Sequence, residues 1–259
     1  MQRSLVCDVK PVSPPMPWSP SSTEAFLACP MAWYLKRQGV IGRVMDTTAM
    51  DQGTVFHAAM AAHWNRDRDH KIPLGIVGAF QTVLEQEDLL ELGLIGAEVN
   101  LGGPPEEAVR HGRYNGTCDL VTENETGLTV TDYKTKAKMD ARFADRELRQ
   151  TQRSWQLRQY AWFVQEKYQK PVTQIRKLLV AFTPVLKVWL ATYPVTQETL
   201  TTWWDQANQV WAAMDLLETQ DQRWIWQNPD ACERYGWDWR CQFYEICWDG
   251  APMEYKENV

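Results

Sequence analysis

The sequence predicts an α/β fold with a central mixed β-sheet flanked by helices. Three observations carry that expectation. The hydrophobic pattern changes period along the chain: helical at first, strand-like for three segments, helical again, then two strands and a last helix. The 259 residues are 44% hydrophobic, enough to bury one large core. Asp119, Asp132 and Lys134 sit inside two strand-like segments joined by one short turn, where apolar residues are the norm.

The elements follow in order. Residues 1–20 are Pro-rich and read as an extended segment. Ser21-Ser22-Thr23-Glu24 forms a capping box, opening a helix that carries Phe26, Leu27, Trp33 and Leu35. Pro30 falls inside that pattern and predicts a kink or break near Cys29. Gly53, Phe56, His57, Met60 and Trp64 recur at spacings of three and four, so residues 50–66 form a second helix. Ile76, Val77, Phe80, Leu84 and Leu89 mark a third over 73–92. Strands follow at 94–101, 116–122 and 127–133, the last two joined by the polar turn from Glu123 to Gly127. Residues 142–168 read as one helix bearing Trp155, Tyr160, Phe163 and Val164. Strands 175–182 and 185–193 form an antiparallel pair turning at Thr183-Pro184. Leu200, Trp204, Ala207, Trp211, Met214 and Leu217 define an amphipathic helix over 197–217. The resulting organisation is an extended segment 1–20, a domain 21–217, and a Cys- and Trp-rich segment 218–259. Parallel and antiparallel neighbours should both occur in the sheet.

Composition narrows the function classes. The net charge is −6 and the pI about 5.3, so no basic field covers the whole chain. Charge is uneven, however. Residues 134–158 carry a local balance of +5, and residues 218–259 a balance of −5. A basic segment beside an acidic site suits a phosphate backbone; it equally suits a solvated, salt-bridged helix. Most of the 14 tryptophans should pack between elements, with a few left for stacking on bases. No apolar run reaches transmembrane length and no signal-peptide core opens the chain, so a cytoplasmic protein without membrane contact is expected. Six cysteines are too few for a dense disulfide framework in a chain of this size. No Gly-x-x-x-x-Gly-Lys-[Ser/Thr] segment is present, so no P-loop motor is encoded.

The acids carry the chemistry. Asp132 and Lys134 are two apart on a strand and share one face. Asp119 lies on the neighbouring strand. Two carboxylates can hold a hard divalent cation, and an amine beside them can orient a water for attack on a phosphodiester. Tyr133 points its side chain the other way, leaving its carbonyl to face the ion. Taken alone, Asp-x-Lys also describes a solvent-facing ion pair, His57 a buried structural histidine, and Glu98 a solvated strand residue.

The order of these motifs resembles the PD-(D/E)XK nuclease superfamily, in its RecB/AddB-like branch with CRISPR-associated iron–sulfur exonucleases. The resemblance runs through Trp18-Ser-Pro-Ser-Ser22, Cys29-Pro30, Gly53-Thr-Val-Phe-His57, Gly116-Thr-Cys-Asp119, Asp132-Tyr-Lys-Thr135 and Gln156-Leu-Arg-Gln-Tyr160. It implies a restriction-endonuclease-like core. It further implies His57, Glu98, Asp119, Asp132 and the Tyr133 carbonyl as ligands of Mg²⁺ or Mn²⁺. Lys134 would be the catalytic lysine, with Gln156 and Tyr160, one helical turn apart, supporting it and contacting substrate. The implied activity is a DNA exonuclease working on ends or single strands, in recombination, repair, phage DNA processing or CRISPR adaptation, with any helicase partner supplied by another chain. A non-catalytic DNA-binding or assembly subunit and a structure-specific endonuclease are the alternatives on the same fold.

Cys232, Cys241 and Cys247 are spaced Cys-x8-Cys-x5-Cys. The resemblance joins them to Cys29 around a [4Fe–4S] cluster, closing a loop of about two hundred residues and packing the tail on the Cys29 region. Zinc or thiols without metal are the other readings of the wide x8 interval. Cys7 reads as a tail thiol, and Cys118 as a core residue pointing away from Asp119.

Overall fold

The structure, a computed structural model, describes residues 18–40, 48–67, 69–85, 93–102, 114–183, 186–218, 225, 241–243 and 246–247. Cys7, Cys232, residues 86–92 of the expected third helix and most of the two terminal segments lie outside them. The chain divides into two compact units, Asp46–Trp204 on one hand and Met1–Met45 with Asp205–Val259 on the other.

In the second of these, α1 spans Pro20–Ala28 and α2 Pro30–Arg37. The break falls at Cys29, as Pro30 predicts. The cap is Ser19, whose hydroxyl accepts from the Ser22 N–H at 3.1 Å. The Ser21 box is displaced because Pro20 occupies the first helical turn, where its missing N–H costs nothing. Leu35 and Val40 form a cluster with Phe243 and Ile246, and Cys241 and Cys247 pack on it beside Met31 and Ala32.

The larger unit contains α3 (Thr48–Trp64), α4 (Val77–Leu84, entered through a 3₁₀ turn), β1 (Gly93–Asn100), β2 (Thr117–Asn124), β3 (Gly127–Lys138), α5 (Ala141–Gln150), α6 (Trp155–Tyr168), β4 (Val172–Thr183) and β5 (Lys187–Pro194). Helix α7, Gln197–Glu218, begins here and runs past Trp204. The sheet order is β1-β2-β3-β4-β5. The β3–β4 pair is parallel and the other three are antiparallel, so the sheet is mixed as expected.

Two boundaries differ from the sequence reading. Strand β3 continues past Tyr133 to Lys138, because Lys134, Thr135 and Lys136 pair with Leu179, Val180 and Ala181. Their polar side chains disguise a central strand as a loop. The single helix expected over 142–168 is two. Asp140 caps α5 through the Phe143 N–H at 2.7 Å, and Ser154 caps α6 through the Leu157 N–H at 3.2 Å. Ser competes for the backbone in helix interiors and favours caps, so the chain turns there.

Successive residues of β4 face opposite sides of the sheet. Leu178 and Val180 join Leu120 and Tyr133 against Phe56, Met60, Phe80 and Val83 of α3 and α4. Leu179 and Ala181 join Met139 and Ala144 on the α5 side. The tryptophans act mainly in packing: Trp162 stacks on Trp204 at 4.7 Å and Trp155 meets Trp203 edge-on at 5.4 Å. Among the described residues, no helix is long and apolar enough to cross a membrane.

Helix α3 lies directly on β3 at Gly53, where an added Cβ would stand 2.6 Å from Thr135 Oγ1. Thr135 is β-branched and stiff, so the clash is not relieved cheaply. Gly53→Ala should therefore destabilise the protein by about 1–3 kcal/mol despite its better helix propensity. Adding Thr135→Ala should restore the melting temperature in thermal denaturation.

Candidate active site

The site grows from a break in strand pairing. Strands β2 and β3 pair as far as Leu120 and Thr131. The next step in that register would set Asp119 opposite Asp132, and like charges directly opposed are destabilising. The ladder stops there. Asp119 Oδ2 instead accepts the Tyr133 N–H at 2.6 Å, so a carboxylate takes the place of a strand carbonyl. On the other side of β2, Ala97 pairs with Leu120 and Val99 with Cys118, which places Glu98 across from Asp119. Glu98 adopts φ 49° inside β1, past an irregularity in register between Leu94 and Gly96. A non-glycine residue in that region costs on the order of 1–3 kcal/mol and marks sites where surrounding structure holds it.

Helix α3 brings His57 to these acids. Its Nδ1 is 3.3 Å from Asp119 Oδ1 and 3.8 Å from Glu98 Oε1. The ring meets Tyr133 edge-on at 5.9 Å, and Tyr133 is fixed by Trp64, whose Nε1 donates to its hydroxyl at 3.2 Å. Burial alone would lower the His57 pKa. Hydrogen bonds from its ring to Asp119 and Glu98, with their charges, outweigh that and hold it at about 10. The His57 ring thus stands between two carboxylates.

Asp132 is buried, and Lys134 Nζ lies 2.8 Å from its Oδ1. Its Oδ2 is buried with no hydrogen-bond partner. Burial raises the Asp132 pKa, the Lys134 charge opposes this and Asp119 adds to it, leaving the carboxyl at about 6. On α6, Gln156 Nε2 donates to the Tyr160 hydroxyl at 2.8 Å. Burial pushes the Tyr160 phenol up, Gln156 pulls it down, and the charges of Asp132 and Asp119 raise it further, so α6 presents Tyr160 towards both acids.

A cleft of about 770 Å³ opens over this group. Gly53, Thr54, His57 and Ala58 line one wall, and Glu98 with residues 133–136 the other. Sequence reasoning missed Thr54 as a lining residue, and missed Lys136 because it ended β3 at Tyr133. It also missed Lys177, buried and paired in register with Asp132, whose charge lowers the Asp132 pKa. Only the β3–β4 pairing, which local pattern does not encode, reveals that neighbour.

His57, Glu98 and Asp119 each offer a ligand atom, all within 4.8 Å of one another. Asp132 is outside that trio. Its partnerless buried oxygen is nonetheless an anionic group short of a cation, a costly state. Oxygen donors with one imidazole suit a hard divalent ion, so the residues fit Mg²⁺ or Mn²⁺. Of the cysteines, Cys29, Cys118, Cys241 and Cys247 are in no disulfide, and Cys118 is fully buried.

A sequence model described as the PD-(D/E)XK nuclease superfamily matches residues 17–88 and 61–247. The chain belongs to the PD-(D/E)XK nuclease superfamily. Its five-stranded mixed sheet with flanking helices is consistent with that superfamily's core. No curated protein matches the chain. A crystal structure from Eubacterium rectale, described as a candidate exonuclease, aligns over 93% of this chain and 90% of its own at 11% identity, with a TM-score of 0.52; that likeness concerns the fold alone. Another, SSO0001, covers 65% of each chain at 15% identity with a TM-score of 0.32, too low to bear on the fold.

The two titrations have the same sign for metal-free stability and different pH windows. His57, raised above its unfolded value of 6.5, contributes stability that is full below pH 6.5 and lost as pH rises through about 10. Asp132, raised from 3.8, contributes most below pH 3.8 and loses it as pH rises through about 6. Chemical denaturation in chelator should show His57→Gln costing most near pH 6 and little near pH 10. Asp132→Asn should stabilise the metal-free protein above pH 6.

Proposed function

We propose that this nuclease is a Mg²⁺- or Mn²⁺-dependent DNA exonuclease. The observation that carries the reading is that one cleft is lined by members of two groups: His57 and Glu98 of the trio with Asp119, and Lys134 of the pair with Asp132. A bound divalent ion would neutralise the scissile phosphate and make a water more acidic. His57, Glu98, Asp119 and the partnerless oxygen of Asp132 would hold it, with the Tyr133 carbonyl close by. The chain's own residues do the rest. Lys134 is anchored by Asp132, yet its side chain is 39% exposed, so its ammonium can reach a water and the phosphate together. Gln156 and Tyr160, hydrogen-bonded to each other on α6, would support the lysine and contact substrate. Displacing the His57 proton is the cost of loading the ion, so ion binding should release a proton below pH 10 and tighten as pH rises.

The exonuclease mode is supported by fold likeness to the E. rectale protein and by the sequence resemblance to the RecB/AddB-like branch. The same resemblance leads us to propose a role in recombination, repair or CRISPR-type DNA processing, with any helicase as a separate chain. We further propose that Cys29, Cys232, Cys241 and Cys247 hold a [4Fe–4S] cluster. Cys241 and Cys247 pack beside Met31 and Ala32, next to Cys29 in sequence, and four thiolates suit such a cluster.

End-labelled linear and circular single-stranded DNA, incubated with and without Mg²⁺ or Mn²⁺, test the activity. Linear substrate should be degraded only with metal, and circular substrate should survive; cleavage of the circle would make the protein an endonuclease. Asp132→Ala and Lys134→Ala should each lower the rate by at least about 100-fold. An inactive wild type that still binds DNA would instead favour an assembly subunit. Anaerobically purified protein should be brown, with about four irons per chain, and Cys29→Ser should lose both colour and iron.

A further inference from the structure

Beyond the cleft, we infer that the exposed face of α5 is the track along which the uncleaved part of a nucleic-acid strand lies. This rests on the nuclease reading above and extends it to the path of the substrate. Arg142, Arg146 and Arg149 fall at spacings of four and three, on one helical face. All three are exposed. The opposite face is committed to the sheet: Ala144 is buried with Leu179 and Ala181, and Phe143 and Leu148 pack against the same cluster with Trp189. The arginine face is therefore turned outward by the packing of its own helix.

Register fixes where the track begins. Leu179 and Ala181, under α5, pair with Lys134 and Lys136, and those two lysines line the cleft. Helix α5 thus crosses the sheet at the level of the site. From Arg142 to Arg149 the helix advances about 10 Å, and the chain continues to Arg153 through a 3₁₀ turn.

The charges along it are poorly neutralised. Arg149 pairs with Asp145 at 2.5 Å. Arg146 lies over the Phe143 ring at 4.8 Å. Among the described residues no carboxylate pairs with Arg142, Arg146, Arg153 or Arg158. Arg158 donates Nη2 to the Gln152 carbonyl at 2.9 Å, while its Nε is buried without a partner. Burial and the nearby Arg153 charge both oppose its ionisation. Of the two readings the sequence leaves open for this segment, the salt-bridged helix is met among the described residues by the Arg149–Asp145 pair alone. In a chain of net charge −6, such an excess is local, and a row of evenly spaced cations fits a row of phosphates.

The test uses the full chain in chelator, where no cleavage occurs, with labelled single strands of four and twelve nucleotides across a salt series. Each phosphate contact on a single strand contributes about 0.7 to the slope of log affinity against log salt. Neutralising Arg142, Arg146 and Arg149 to Gln should lower the twelve-nucleotide slope by about 2. Binding of the four-nucleotide strand, and its cleavage once metal is added, should stay within twofold. The triple Arg→Lys variant should keep the wild-type slope, which separates charge from misfolding. An unchanged slope in the Gln variant, or an equal loss for both lengths, overturns the track. A wild type that never cleaves the short strand overturns the nuclease reading instead, and leaves the slope comparison valid.

Discussion

Two carboxylates on neighbouring strands, both inside the protein, set the terms for everything around them. Directly opposed at roughly 5 Å, a pair of like charges would cost about 3 kcal/mol at an effective dielectric of 20. The fold answers by parting β2 from β3 and giving each acid its own compensation. Asp119 receives the Tyr133 N–H and the His57 ring. Asp132 receives Lys134 and feels Lys177 from β4. One oxygen is left without any. That single deficit is what a cation would relieve, so the candidate metal site and the broken ladder are one feature seen from two sides.

The same constraint explains the seating of α3. His57 must come within reach of Asp119, and a side chain at position 53 would hold the helix away from β3. Phe56 and Met60, fully buried on the same helix, press it against Leu120 and Tyr133. Packing and electrostatics thus agree on one position for the histidine. Glu98 reaches the group only through a backbone conformation foreign to strands.

The sequence reveals this arrangement unevenly, and for physical reasons. Asp132 and Lys134 are legible because strand alternation is strict: two residues apart means one face. His57 is legible because it continues an apolar helical stripe. Glu98 is harder, since its φ breaks the alternation on which a strand reading relies. The end of β3 is hidden because its lysines and threonines face a cleft, and polarity there mimics a loop. Ser154 shows that a cap inside a helical pattern outweighs the pattern. Lys177 is invisible until a parallel pairing across more than one helix is known. The Cys232 part of the cysteine set and the termini lie outside the described residues.

The strand order carries one more consequence. The β2–β3 and β4–β5 pairs have short connections and β1–β2 is joined through residues 101–116, while β3 and β4 meet in parallel only after the chain has passed through α5 and α6. Closing that longer excursion carries the largest single share of the sheet's loop entropy. Glu98, Asp119, Asp132 and Lys134 all lie before it, on a meander of three consecutive strands, whereas Gln156 and Tyr160 ride on the excursion itself. The candidate-site acids therefore belong to the antiparallel meander, and the helix beside them arrives with its slowest contact.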